Sequence, residues 1–400
     1  MGKGQKTDLK AAIIGASEES LHTIEKAKEQ GLTVVALDGN PEAAGLKAAD
    51  RGIVVNISNE KETFDILQKE KVDFILTVPI GRYLTTTGSM NDALNLKGIS
   101  RDNALICTDK WLFHKKLQQE GLRSCQAVQI PAEADSPEKL TAEIAKLNFH
   151  YPAILKPEFG SGSRGIVFLK DSSMLKSGLA AVQGEDYILE ECAEGTEYGL
   201  DGAFVEGVFH LILLRRKENT PLPARQATAY FSVSPDEPFF REVRTFMEKV
   251  VRVLKLKDCL LHADLIQGKN GPFLIEMSAR PSGHNLHNLF TPLCTGIDMA
   301  EEYIKYLTGK PFCFDPVQTR SMMIHYFDYQ GTVQAVPTLK DLETSLSLRP
   351  VRWDCRLQKG DRLSAPSNGH TLMARGYYIL EGRDENALKI QAAKIRQLFF

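Results

Sequence analysis

Two carboxylates stand at equal distances from a turn signal in the segment CLLHADLIQGKNGPFLIEMSARPSG, which covers residues 259–283. Asp264 lies six residues before Asn270, and Glu276 lies six residues after it. Because Asn-Gly between two apolar runs is a strong signal for a β-hairpin, we expect the carboxylates to oppose each other across the two strands. Like charges in such positions repel unless a cation lies between them, and carboxylate oxygens suit Mg²⁺. The segment therefore predicts a magnesium site.

The neighbours of these carboxylates on the predicted hairpin also suit phosphate chemistry. Because side chains alternate between the faces of a strand, His262 lies beside Asp264, and Ser278 lies beside Glu276. Arg280 follows on the same face, where a guanidinium can stabilise charge on a transferring phosphoryl group. The alternative interpretation is that both acids are simply solvated on an exposed sheet face.

A second candidate for phosphate binding is the glycine-rich segment AILKPEFGSGSRGIVFL at residues 153–169. Its glycines have the spacing G-x-G-x-x-G, at Gly160, Gly162 and Gly165. An apolar strand pattern lies on each side and no helix follows, which argues against a dinucleotide fold and favours a hairpin flap over phosphates. Ser161 and Ser163 add hydroxyl donors, and Lys156 adds a positive charge. The alternative is a flexible turn beside an ordinary surface lysine.

The N-terminal part of the chain has the pattern of a parallel sheet. Between residues 11 and 108, the apolar runs AAIIG, TVVALD, GIVV, DFILTVP and ALICT are interspersed with amphipathic stretches. Strands that alternate with helices predict a small Rossmann-like domain. The first turn, Gly15-Ala16-Ser17, lacks the full dinucleotide motif, so Asp38 at the end of the second strand is not sufficient to indicate an NAD site.

The remaining chain divides into a central part and a tail. The central part contains a helix at KWLFHKKLQQEG, the strands around the glycine-rich loop, and a long amphipathic helix near residues 241–257. The tail ends in a strand, GYYILEG, and a helix for which Asp384 is the expected N-cap. These patterns predict an α/β protein with three units, at residues 1–108, 109–310 and 311–400, the last of them a small α+β tail.

Composition argues against several classes of partner. The 400 residues include 49 basic and 51 acidic side chains that nearly cancel, so neither a nucleic acid nor a membrane surface is an expected partner. No apolar run approaches the length of a membrane span. The seven cysteines form no C-x-x-C pair, which favours reduced thiols and a cytoplasmic location. A zinc set of His262, His284 and His287 is disfavoured because no thiolate stands at a suitable spacing.

At this point the residues resemble the ATP-grasp superfamily, in the family's order along nearly the whole chain. The resemblance implies a Rossmann-like N-terminal domain, a two-part ATP-grasp domain and a C-terminal lid. Asp109-Lys110 is similar to the family's first nucleotide-binding lysine, and Lys156 to its second. Both lysines are thereby expected to reach the phosphates of ATP.

The resemblance also implies how the nucleoside is held. The run YILEECAEGTEYGLDG is similar to the family's hinge, in which backbone groups around Glu190, Glu191 and Cys192 hold adenine. Glu197 matches the acid that holds the ribose hydroxyls. The cofactors implied are ATP and Mg²⁺, with Mn²⁺ as an alternative ion.

The glycine-rich loop and the acidic hairpin match the family pattern with one departure. The loop glycines match the phosphate-covering loop. Asp264 and Glu276 match the magnesium carboxylates, and Arg280 matches the phosphate-binding arginine. Ser278 stands where the family usually has an asparagine as third metal ligand. A hydroxyl can still bind the metal or a bound water, but the departure puts a second metal position in question.

The family chemistry implies that a substrate carboxylate takes the γ-phosphoryl group of ATP, and that an amine then attacks the acyl phosphate, with Lys156 and Arg280 as catalytic groups. The expected partners are therefore a small-molecule carboxylate and an amine. The candidates for holding the acyl substrate follow Arg280 directly: Ser282, Gly283, His284 and Asn285. The stretch TGIDMAEEYIKYLTGKP and the late strand most resemble the L-amino-acid ligase branch. Carboxylase or purine-pathway chemistry, and a non-catalytic ATP-binding regulator, remain alternatives, and a homodimer is the commonest assembly.

Overall fold

The computed structural model describes residues 8–133, 136–160, 165–182, 184–221, 225–346, 349–366 and 368–400. Three main sheets organise these residues, and the helices pack against the sheets. Within these ranges, no helix has both the length and the apolar character that crossing a bilayer would require.

The N-terminal sheet is parallel, as the sequence pattern predicts. Its strands lie in the order β3-β2-β1-β4. The strands are β1 (Lys10–Ile14), β2 (Thr33–Asp38), β3 (Arg51–Val54) and β4 (Phe74–Leu76). The helices that accompany them are α1 (Leu21–Glu29), α2 (Ala44–Ala48), α3 (Glu60–Glu70), α4 (Leu84–Leu94) and α5 (Arg101–Ile106).

One predicted strand in this region is wrong. The run ALICT, at residues 104–108, was expected to extend the sheet, but it overlaps α5 and the turn that follows. Ser100 begins this helix, since its hydroxyl accepts the backbone N–H of Asn103 at 3.2 Å. An apolar run this short has no periodicity that separates a strand from a buried helix, and the N-cap decides the outcome.

A small antiparallel sheet follows, in the order β5-β8-β6-β7. Its strands are β5 (Ala127–Ile130), β6 (Ala153–Pro157), β7 (Val167–Leu169) and β8 (Tyr187–Glu191). The helices of this part are α6 (Lys110–Gln119), α7 (Pro137–Ile144) and α8 (Leu175–Ala181). Since β6 and β7 pair antiparallel, the glycine-rich segment connects the two strands of a hairpin, as predicted.

The largest sheet has eight antiparallel strands in the order β13-β12-β9-β10-β11-β14-β18-β16. Its strands are β9 (Thr196–Val205), β10 (Val208–Asn219), β11 (Ala227–Ser232), β12 (Cys259–Gly268), β13 (Gly271–Ser278), β14 (Met322–Tyr326), β16 (Arg352–Cys355) and β18 (Gly376–Glu381). A separate pair is formed by β15 (Gly331–Thr332) and β17 (Arg362–Leu363). The remaining helices are α9 (Pro238–Val253), α10 (Thr291–Thr295), α11 (Met299–Leu307), α12 (Leu339–Leu346), α13 (Gly369–Arg375) and α14 (Glu385–Gln397).

The amphipathic face predicted for α9 is buried in the main hydrophobic core, with Val243, Met247 and Val250 fully enclosed. The large sheet then continues across the expected boundary at residue 311. Strand β14 pairs with β11, so part of the tail belongs to the same sheet as the central strands. The tail is therefore joined to the central part by a continuous hydrogen-bonded ladder.

Candidate active site

The acidic hairpin forms as its turn signal predicts. In the pairing of β12 with β13, Asp264 lies opposite Glu276, and His262 lies opposite Ser278. The register shifts directly after Asp264, which is the position of a β-bulge. Two carboxylates therefore stand on adjacent strands, both of them half-buried.

The two carboxylates differ in their protein partners. Asp264 makes an ion pair with Lys217, with 2.5 Å between Oδ2 and Nζ. Burial opposes ionisation of Asp264, but the Lys217 ammonium holds the pKa of this carboxyl below its usual value. Within the described part of the chain, the Glu276 carboxylate makes no hydrogen bond or ion pair. It is therefore available to a ligand that carries positive charge.

Arg280 joins the end of the hairpin to the N-terminal sheet. Its Nε donates to the carbonyl of Ile80 at 2.9 Å, and its Nη1 donates to the carbonyl of Pro281 at 2.7 Å. Its Nη2 has no hydrogen-bond partner among the residues that the structure describes. The guanidinium is thus fixed by two backbone contacts while keeping donors for a ligand.

Lys156 belongs to a buried charge network. Its ammonium lies 2.5 Å from Oε2 of Glu190, while Oε1 of Glu190 lies 2.8 Å from Arg123 and 3.1 Å from Nδ1 of His114. Burial disfavours the charged form of Glu190, but the two adjacent cations hold its pKa well below the usual range. His114, Cys125 and Glu190 could together suggest a metal site. Because the Arg123 guanidinium contacts both His114 and Glu190, this cluster is already neutralised without a metal.

Arg123 also connects the two sheets on either side of the site. Its Nη1 binds Glu190 on β8, and its Nη2 donates to the carbonyls of Leu274 and Ile275 on β13, the second of these at 2.8 Å. Nothing in the local sequence distinguishes this arginine from a surface residue. It nevertheless ties the strand predicted to hold adenine to the strand that carries Glu276.

Arg123→Lys is expected to lower the free energy of unfolding by about 2 kcal/mol, because an ammonium cannot bond Glu190 and both carbonyls with the geometry of a guanidinium. Urea unfolding followed by circular dichroism measures the change. Arg241→Lys, on the exposed side of α9, is the matched control. Equal midpoints for the two variants would show that Arg123 does not hold the sheets together.

The predicted ribose acid has two protein partners. Oε1 of Glu197 lies 2.5 Å from Arg225, and Oε2 accepts a hydrogen bond from Asn219 at 2.7 Å. In the predicted hinge, the backbone N–H of Glu191 donates to Gln126, and that of Cys192 donates to Pro152. Because both N–H groups bond within the protein, neither is available to a ligand.

A single cavity of about 530 Å³ collects most of the predicted residues. It lies between the small sheet and the large sheet and extends to the N-terminal unit. The predicted residues that line it are Lys110, Lys156, Gly160, Glu190, Glu191, Cys192, Glu197, Asp264, Glu276, Arg280, Ser282, Gly283 and His284. Gly165, Ser278 and Asn285 are not among its lining residues. Ser161, Gly162 and Ser163 lie outside the described residues.

Lys110 connects the start of α6 to the glycine-rich loop. Its Nζ donates to the carbonyl of Gly160 at 2.8 Å. Burial lowers the pKa of Lys110, although Glu276 opposes that shift. The lysine therefore lies at the part of the cavity shared by the loop and the acidic hairpin.

Strand β10 contributes further lining residues that the sequence prediction did not assign: Arg215, Lys217 and Asn219. They follow one another at every second position, which is the spacing of side chains on one face of a strand. That alternation is the signal that could have identified them. Glu19 also lines the cavity, and no local pattern marks it.

Comparisons with known proteins agree with this architecture. Residues 149–287 match the family model described as an ATP-grasp domain. The chain is 25% identical over 227 residues to a formate-dependent phosphoribosylglycinamide formyltransferase from Hydrogenovibrio crunogenus, covering 54% of this chain and 52% of that protein. It is 23% identical over 208 residues to dapdiamide A synthase from Enterobacter agglomerans, covering 48% and 47%. The chain thus spans about half the length of the curated relatives it matches.

Among solved structures, an L-amino acid ligase from Bacillus licheniformis superposes with a TM-score of 0.75 at 19% identity, covering 98% of this chain and 97% of that one. At this identity the likeness concerns the fold, and it extends over the N-terminal sheet and the tail as well as the central strands. The predicted α/β fold is confirmed, and residues 149–287 of the chain match an ATP-grasp domain.

Proposed function

We propose that this protein is an ATP- and magnesium-dependent ligase that activates a carboxylate as an acyl phosphate and couples it to an amine of an amino acid or peptide-like substrate. The observation that carries the proposal is the opposed pair Asp264 and Glu276 in one cavity with Lys110, Lys156 and Arg280. Acids and cations collected in this way suit a metal-bound polyphosphate beside a reacting carboxylate.

The cavity offers a consistent place for ATP. Lys110 and Lys156 lie beside the glycine-rich loop and are assigned to the phosphates. Glu197 is assigned to the ribose, and the segment from Glu190 to Cys192 to adenine. Since Lys156 is paired with Glu190, a phosphate would add to an existing network and would not meet an isolated cation.

The donor set fits magnesium. Carboxylate oxygens are the protein ligands this ion prefers, and the unpartnered Glu276 would otherwise be a half-buried negative charge. We assign the ion to Asp264 and Glu276. Ser278 does not line the cavity, so we give it no part in holding the metal. When bound, magnesium would offset the charge of the transferring phosphoryl group.

The chain's own residues then account for the chemistry. A carboxylate oxygen of the substrate attacks the γ-phosphorus of ATP, the bond to the bridging oxygen breaks, and ADP leaves. We assign Nη2 of Arg280, which has no partner among the described residues, to the reacting carboxylate and to the phosphoryl oxygens that gain charge as the two groups join. The neutral amine next attacks the acyl carbon, inorganic phosphate leaves, and the amine loses a proton. Enclosure by the two sheets limits hydrolysis of the acyl phosphate.

A second candidate is ligation of a small acid to a ribotide amine. The similarity to the formyltransferase from Hydrogenovibrio crunogenus favours it. Formate or bicarbonate would replace the amino acid as the activated acid, with the same nucleotide site. The fold and the acidic hairpin are compatible with both reactions, so the two candidates are distinguished by which acid and amine the protein uses.

We expect phosphate release from ATP to require magnesium, an acid and an amine together. Purified protein is incubated with ATP and amino acids, singly and in pairs. Parallel mixtures contain formate or bicarbonate with a ribotide amine, and the products are identified by mass spectrometry. EDTA should abolish release, and added Mg²⁺ or Mn²⁺ should restore it. Release with formate and a ribotide amine alone would favour the second candidate. Tight ATP binding without turnover in any mixture would contradict both.

A further inference from the structure

We propose that Glu19 binds the α-ammonium group of the substrate whose carboxylate is held by Arg280, so that the activated acid is an α-amino acid with an apolar side chain. This inference rests on the proposed function and identifies the substrate class of the same cavity. The geometry points to it through the positions of the charges at one end of the cavity.

Glu19 lies in the single turn Glu18–Ser20 that follows β1. Its Oε1 accepts the backbone N–H of His284 at 2.9 Å. Its Oε2 has no partner among the described residues, and the residue lines the cavity. The carboxylate is therefore held by one oxygen and presents the other.

The backbone of Gly283 approaches this carboxylate closely. A Cβ at Gly283 would lie 3.2 Å from Oε1 of Glu19. This segment follows Arg280 by only a few residues, so the same loop orients both charged groups. Burial raises the pKa of Glu19, which means that its ionised form lacks compensation that a bound cation would supply.

Apart from Lys110 and Glu276, which are assigned to the phosphates and the metal, the charged groups elsewhere in the cavity are paired within the protein. Four cations are paired with carboxylates: Lys156 with Glu190, Lys217 with Asp264, Arg215 with Asp201, and Arg225 with Glu197. Within the described part of the chain, Arg280 and Glu19 interact electrostatically but do not form an ion pair. Each keeps a free donor or acceptor atom. A ligand with one negative and one positive group satisfies both.

Two histidines, His284 and His370, also line this end of the cavity, and His370 interacts electrostatically with both Glu19 and His284. His284 lies next to the two charged groups, and burial lowers its pKa, which favours the neutral imidazole. The other lining side chains here are largely apolar: Ile80, Leu286, Tyr326, Leu372 and Met373. An α-amino acid with an apolar side chain matches two charges on one side and an apolar wall on the other.

The test uses hydroxylamine in place of the natural amine, so that only activation of the acid is measured. Hydroxamate formation is compared for leucine and for 4-methylpentanoate, which is leucine without its amino group. Wild-type protein should use leucine with a kcat/KM about 10- to 100-fold higher, since a charged hydrogen bond to the ammonium is lost with the other acid. This comparison needs no variant.

Glu19→Gln keeps an oxygen to accept the His284 N–H but removes the charge. It should lower kcat/KM for leucine by about 10- to 100-fold and leave that for 4-methylpentanoate within about threefold. Glu18→Gln, at the exposed neighbouring position, should change neither. Equal use of both acids by wild-type protein would overturn the role of Glu19 while the ligase function stands. Hydroxamate from formate but from neither of the larger acids would refute the amino-acid function itself.

Discussion

Glu276→Gln is expected to lower kcat for ATP-dependent phosphate release by about 100-fold or more, since the substitution removes one of two carboxylates that face the transferring phosphoryl group. The variant should fold normally. Among the described residues the Glu276 side chain has no hydrogen bond or ion pair to lose, and Gln has nearly the same shape. The loss is therefore expected in turnover, with the free energy of unfolding unchanged.

The matched control for this prediction is Glu242→Gln, which makes the same chemical change on the exposed face of α9. It should retain wild-type turnover. Titrating magnesium adds a second measure, because Glu276→Gln should require a higher concentration for its remaining activity. If Glu276→Gln turned over ATP at the wild-type rate at every magnesium concentration, the hairpin could not be the metal site.

The acidic hairpin could be predicted because its geometry is local. The Asn270-Gly271 signal predicts the hairpin itself, but a register continued unbroken from the Gly268–Gly271 pair would set Asp264 opposite Ile275. The register shift directly after Asp264 brings it opposite Glu276, and the sequence does not mark that bulge. Local geometry also explains the success with α9, where periodicity alone identifies the buried face. Local rules were sufficient wherever a turn or a period determined which side chains share a surface.

The contacts that complete the site are not local, and this explains why the sequence missed them. Arg123 reaches a carbonyl at residue 275, and Glu19 meets the backbone of His284. Neither pairing leaves a repeat or spacing that could be read along the chain. The continuation of the large sheet into the tail has the same cause, since the pairing of β11 with β14 depends on how the whole sheet assembles.

Lys217 is an intermediate case. Alternation along β10 could have shown that it shares a face with Arg215, but only the register with β9 and β12 brings it to Asp264. A lysine so placed lowers the charge that the acidic hairpin carries before any metal binds. The site therefore has one neutralised carboxylate and one that remains available.

Asp201→Asn is expected to lower the free energy of unfolding by about 3–5 kcal/mol, the largest effect on stability that we predict. Asp201 is fully buried on β9 and accepts hydrogen bonds from both terminal nitrogens of Arg215, a buried residue on β10. Thr291 donates to the same carboxylate at 2.6 Å. The substitution leaves the Arg215 charge buried without its counter-ion.

The stability that the Asp201 carboxylate contributes should depend on pH in a definite direction. Burial opposes ionisation of Asp201, but Arg215 holds the pKa of its carboxyl below the usual value. A depressed pKa in the folded state means that the pair stabilises fully above the unfolded pKa of about 3.9, and less as pH falls below it. The free energy of unfolding, measured by chemical denaturation, should therefore differ less between wild type and Asp201→Asn at pH 3 than at neutral pH.

A double variant distinguishes the effect of losing the ion pair from the cost of leaving one charge buried without a partner. Asp201→Leu with Arg215→Met removes both charges, and it should be more stable than Asp201→Leu alone, because replacing a buried ion pair by apolar side chains costs less than breaking it. If the free energy of unfolding of Asp201→Asn lay within about 1 kcal/mol of the wild-type value, the buried pair of Asp201 and Arg215 would not contribute the predicted stability.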